Sequence, residues 1–232
     1  MIINNFFFKK ITFVFLLFMM GGQTPLLATQ VSSFASLPTI AKSMLNFVPQ
    51  GWYLERKIVA ELNGDDFSDT ILVLTDNNQT TKSQAEGHRK IIILFGKSTG
   101  EFELNSVAHH VLWCEDCYGT LGGPGGNFPE IKVSKGVLSI YQSGGSSQAI
   151  DITLKFRYEP KSNKFRLIGK DSIVRNRPTG DGEIVSINYL SNYKKISNIS
   201  FDRFGENEKI TDKVEKIKPT MIYLEGYNID EL

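Results

Sequence analysis

Two segments of this chain are apolar at almost every interior position. "TILVLTD" and "KIIILFG" carry unbroken runs of four and five apolar residues, Ile71 to Leu74 and Ile91 to Phe95, the pattern of central β-strands covered on both faces. Other segments alternate. In "AIDITLKFRYEP", Ile150, Ile152, Leu154, Phe156 and Tyr158 fall on one face and Asp151, Thr153, Lys155 and Arg157 on the other, so one face of that strand meets water. The same criteria predict strands over 52–62, 70–75, 90–95, 102–112, 131–133, 137–142, 149–158, 165–171, 184–188 and 222–226, most of them bounded by Gly, Asn, Asp, Ser or Pro clusters. "FGKSTGEFEL" and "RYEPKSNKFRLIG" read as hairpins with Lys97 to Gly100 and Pro160 to Asn163 at their tips, so sequence neighbours are expected to pair.

One helix is expected, in "SLPTIAKSMLNFVPQGW". Pro38 suits a first helical turn, Ile40, Met44, Leu45 and Phe47 share roughly one face, and Pro49 stops the run. Such a helix would cap the sheet edge. The stretch from Asn192 to Pro219 is densely charged and reads as solvated edges or loops. The fold class is therefore mainly β. Its form is a layered, mostly antiparallel sheet, either a sandwich or an open propeller-blade-like arrangement, with one short N-terminal helix.

Composition narrows this without changing it. A chain of 232 residues with a 41% hydrophobic share can bury one sizeable core. Lys and Arg number 26 against 25 Asp and Glu, a net charge of +1, so no long-range field favours nucleic acid. The N-terminus reads as targeting. Lys9 and Lys10 precede the apolar run Ile11 to Met20, and Gly21, Gly22, Pro25 and Ala28 follow, as in a secretory signal peptide over residues 1–28. The run is short for a bilayer span. The expectation is a single domain over 29–232, periplasmic or secreted, with no stable membrane insertion once the signal is cleaved.

The two cysteines, Cys114 and Cys117, stand in "LWCEDCYGTLGGPGGNFPE". Outside the cytoplasm they are expected to form a short-range disulfide. A redox pair needs a helix to lower the thiol pKa, and the glycines that follow cannot propagate one. His88, His109 and His110 are too few and too scattered for a zinc site. In "YQSGGSSQ", Ser143, Ser146 and Ser147 lack nucleophile-elbow spacing and read as a hairpin. Glu115 and Asp116, flanked by Trp113 and Tyr118, are a candidate recognition patch.

The most chemical segment is "AELNGDDFSDTIL". Counting from Glu61, oxygen-bearing side chains fall at Glu61, Asn63, Asp65 and Asp69, and the carbonyl of Phe67 occupies the seventh position. Calcium takes six to eight oxygens at about 2.3–2.6 Å, which a curling loop supplies from alternate residues. The alternative is an acidic Asx-type turn without metal. "ELNGDDFSDTILVL" resembles the calcium loop of FG-GAP or VCBS-type repeats, Asp-x-Asn-x-Asp-Gly-x-x-Asp followed by an aliphatic strand. Asn63, Asp65 and Asp69 match, whereas Glu61 replaces Asp and Asp66 replaces Gly. Residues from about Phe47 to Asn192 are similar to uncharacterised secreted or periplasmic bacterial proteins with one such segment. The resemblance implies a single mostly β domain with one cation loop and no known activity. Leu72 stands where an EF-hand has its bidentate Glu, and two positions depart from the pattern, so the structural calcium binding is expected to be weak, about 10⁻⁴–10⁻³ M. One copy cannot close a propeller ring.

Function is then expected to be non-catalytic: a periplasmic or secreted binding module whose partner is an envelope or secreted protein. The alternatives are an inhibitor or immunity-type protein that blocks a toxic envelope-acting enzyme, and a hydrolase whose site has no recognisable motif.

Overall fold

The computed structural model describes residues 33–76, 89–114, 117–122, 128–202, 205 and 207–231. The segment read as a signal peptide, His88, Glu115 and Asp116 lie outside the described residues. The chain forms two antiparallel sheets. The first contains β1 (Ile40–Ala41), β2 (Trp52–Ala60), β3 (Asp69–Asp76), β4 (Arg89–Gly96) and β5 (Phe102–Ala108), in the order β1-β5-β4-β3-β2. The second is a seven-stranded meander from β6 (Glu130–Ser134) through β7 (Val137–Gly145), β8 (Gln148–Glu159), β9 (Lys164–Asn176), β10 (Gly182–Asn188) and β11 (Tyr193–Phe201) to β12 (Glu208–Lys216).

The sandwich is built around β3 and β4. Ile71, Val73, Ile91 and Ile93 pack with Leu138, Ile140, Ile152, Leu154 and Phe156 of the second sheet. Leu72, Leu74, Ile92 and Leu94 point the other way and pack with Phe47, helped by Phe34, Leu37, Met44 and Trp52. Both faces of these strands are buried, as their unbroken apolar runs require. The alternating strand behaves differently: Ile152, Leu154 and Phe156 are buried, Asp151, Thr153 and Lys155 are half-covered, and Arg157 is exposed. Both hairpin tips fall where expected, between β4 and β5 and between β8 and β9.

The expected N-terminal helix does not form. Among the described residues this segment holds two short 3-10 turns, Phe34–Ser36 and Met44–Phe47, separated by Ile40–Ala41. A helix this short has little stability of its own, and two competitors take its groups. The Ser43 side chain accepts from the Leu45 amide at 3.3 Å, and Ile40 and Ala41 pair with Glu103 and Phe102 at the free edge of β5. Three boundaries also differ from expectation. The strand read over 102–112 ends at Ala108. The segment 222–226 becomes a single bridge at Tyr223 and a 3-10 turn. The charged stretch after Asn192 contains both β11 and β12. Its alternation is masked because β12 is exposed almost throughout.

A buried polar network ties the sheets together. Glu55 sits at a register shift in β2, and that irregularity turns its carboxylate inward. Glu55 Oε1 accepts from Arg89 Nη2 at 2.6 Å, and Oε2 accepts from Arg89 Nε at 2.8 Å and Thr75 Oγ1 at 2.6 Å. Arg89 is 1% exposed, and its guanidinium also reaches the Tyr118 hydroxyl at 3.4 Å. Tyr118 donates in turn to Gln142 on β7, also at 3.4 Å. Gln142 accepts from the Trp113 amide at 2.8 Å.

Cys114 and Cys117 are disulfide-bonded directly before Tyr118. The glycines of "YQSGGSS" serve this contact: a Cβ on Gly144 would stand 2.8 Å from the Tyr118 carbonyl oxygen, the same oxygen that accepts the Gly145 amide at 2.8 Å. The segment therefore needs glycine for close backbone approach.

Candidate functional site

The acidic loop connects β2 to β3 and is organised by its own backbone amides. Glu61 Oε1 accepts from the amides of Asn63 at 3.0 Å and Gly64 at 2.7 Å. Asn63 Oδ1 accepts from the Asp65 amide at 2.8 Å, and Asp65 Oδ1 from the Phe67 amide at 2.7 Å. The Asn63 side-chain amide donates to Asp65 Oδ2 at 2.8 Å. These are successive Asx-type turns. The left-handed residue is Gly64, at φ +86°. Asp66 is exposed and is not among the positive-φ residues, so its replacement of the repeat's glycine carries no backbone strain.

Asp69 is different in kind. It is fully buried, and its two oxygens accept from the amides of Leu62 at 2.9 Å and Gly96 at 3.1 Å. It thus staples the loop's start to the end of β4. Approach there is so close that a Cβ on Gly96 would lie 2.3 Å from the Ser68 carbonyl oxygen. Burial pushes the Asp69 pKa up to about 6, and the charges of Glu61 and Asp65 add to it against the two amide bonds.

The donor set is oxygen throughout, the chemistry a hard cation takes. Its arrangement is that of an amide-capped turn. Among the described residues no group of three or more His, Cys, Asp or Glu is gathered to hold a metal ion. Closing on an ion requires Glu61 and Asp65 to turn away from their amides.

The loop forms one wall of a polar cleft of about 340 Å³ that neither hairpin reveals in sequence. Asn63 and Asp65 come from the loop, Lys97, Glu103 and Asn105 from the β4–β5 hairpin, and Tyr158 and Asn163 from the β8–β9 hairpin. Lys97 pairs with Glu103, and this hydrogen bond raises the lysine pKa, with Asp65 adding to the effect. Asn105 Nδ2 donates to Asn163 Oδ1 at 3.1 Å, and the Tyr158 hydroxyl donates to the same oxygen at 2.7 Å. Asn163 adopts φ +54° at the hairpin tip, a conformation asparagine tolerates. Phe95 packs edge-on beneath Tyr158 at 5.1 Å. Sequence reading located both hairpin tips, but only the pairing of the two sheets brings them to the acidic loop.

The other candidates do not converge on this cleft. His109 packs edge-on against Phe34 at 5.3 Å, and burial lowers its pKa. His110 bridges to Asn228. Ser146 and Ser147 form the β7–β8 turn, where the Ser147 carbonyl accepts from the Arg177 amide at 3.0 Å. No family model matches the chain, and searches among curated proteins and solved structures return no match.

Asp69 makes stability fall with rising pH. Its folded pKa of about 6 exceeds the ordinary 3.8, so the native state holds the proton more tightly, and that advantage disappears as pH rises from about 4 to 6. Denaturant unfolding should show up to about 3 kcal/mol lost over this window. Asp69→Asn should remove that part of the slope, and an unchanged slope in the variant contradicts the assignment.

Proposed function

We propose that this protein is a non-catalytic binding module that acts outside the cytoplasm, periplasmic or secreted, and that its cleft docks an envelope or secreted protein. The observation that supports this is the convergence of three loops from both sheets on one polar cleft. Asn63, Asn105 and Asn163 offer amides, Tyr158 an aromatic edge, and the Lys97–Glu103 pair opposite charges. Such a mixed surface suits a polar protein partner, because rim groups of this kind set orientation and specificity. The secretory leader read in the sequence and the disulfide at Cys114 and Cys117 agree with an oxidising compartment.

Capture from an envelope extract tests the docking role. Lys97→Glu and Asn105→Ala should each abolish a stoichiometric partner that the unaltered protein retains. Equal capture by both variants sinks the cleft as the docking site, and a partner enzyme silenced on binding would make the module an inhibitor.

The acidic loop completes the proposal as a weak structural calcium clasp beside the cleft, with Glu61, Asn63, Asp65, the Phe67 carbonyl and Asp69 as its ligands. The ion would neutralise three carboxylates that otherwise raise one another's energy. At a hundredfold excess over Kd, calcium should add about 2.7 kcal/mol of stability relative to chelator, and Asp65→Ala should remove the gain. An unchanged melting midpoint in calcium leaves the loop an amide-capped turn.

A further inference from the structure

Among the described residues, strand β12 ends the seven-stranded sheet and pairs on one side only, with β11. Charged edge strands ordinarily resist further pairing. The order of charges on this edge, "EKITDKVEK" from Glu208 to Lys216, makes it complementary to itself. Laid antiparallel on a second copy about Asp212, Glu208 faces Lys216, Lys209 faces Glu215 and Ile210 faces Val214, and a two-fold axis repeats each pair. Thr211 faces Lys213. Asp212 alone meets its own kind, and each Asp212 is held by Lys195 of its own sheet at 2.8 Å.

Among registers that keep at least seven of the nine residues paired, the match belongs to one. Moving the copies by two residues places Lys209 against Lys213, or Lys213 against itself. Moving them by one places Glu208 against Glu215, or Lys209 against Lys216. Like charges directly opposite are destabilising, so these alternatives are disfavoured. The apolar members are also exposed: Ile210 is 55% and Val214 63% accessible. They lie on the same face of the strand as Asp212, since alternate residues share a face. Pairing would cover both residues with their counterparts.

We propose that the protein forms a homodimer by antiparallel β12–β12 pairing centred on Asp212, which continues the seven-stranded sheet across a two-fold axis. The second copy supplies the missing hydrogen-bonding edge, and the charge order selects it over an arbitrary strand. Glu208 and Lys216 are suitable probes, because both are exposed and their neighbours on β11 are Phe201 and Tyr193.

Sedimentation velocity of the purified protein over about 1–100 μM should show a monomer–dimer equilibrium. Lys216→Glu turns two symmetry-related attractions into repulsions and should weaken association about tenfold. The charge swap Glu208→Lys with Lys216→Glu should restore it, with thermal unfolding midpoints equal at concentrations where every form is monomeric. A monomer over the whole range overturns the proposal. So does association unaffected by Lys216→Glu, or a swap that fails to restore what the single change loses.

Discussion

The structure depends on burying β3 and β4 on both faces. A strand with one wet face is held in register by alternation, because a slip of one residue exposes its apolar set. Strands that are apolar on both faces lack that safeguard: slipping "TILVL" against "KIIIL" exchanges one aliphatic side chain for another. Register here is set at the two ends of the ladder by buried polar groups. At one end Asp69 holds the Gly96 amide. At the other, Glu55 gathers Thr75 from β3 and Arg89 from β4. A slip would leave these groups buried without partners, which is far more costly than an exchange of methyl groups.

The same constraint shapes the acidic loop. Asp69 serves the ladder first, with both carboxylate oxygens turned to backbone amides. Any cation at the loop shares a ligand already committed to the fold. Glu61 and Asp65 are likewise engaged with amides. Competition of this kind accounts for the low affinity expected of the clasp. The amide bonds hold the loop's shape, and Glu61 and Asp65 would have to leave them to reach an ion. The cleft beside it inherits its position from both sheets, because one wall belongs to the β8–β9 hairpin.

Much of this was legible in the sequence where one local rule decided the outcome. Unbroken apolar runs identified β3 and β4, alternation identified β8, and turn residues located the tips at 97–100 and 160–163. The failures came where long-range pairing won. The segment around Ile40 carried a helical pattern but was drawn into strand pairing by the open edge of β5. The residues of β12 read only as a solvated edge or loop, not as a defined strand, because neither face is buried. At Glu55, a charged residue in a strand gave no local sign of the inward turn that pairs it with Arg89. The cleft was hidden for the same reason, since its residues are far apart in sequence.

Native-state hydrogen exchange tests the central claim most directly. If the doubly buried strands carry the fold, the amides of Ile71–Leu74 and Ile91–Leu94 should exchange only through global unfolding, with opening free energies equal to that of the whole domain. Those of the exposed strand β12 should open at a much smaller free energy. Exchange of the β3 and β4 amides through local opening, at rates matching β12, would contradict the account.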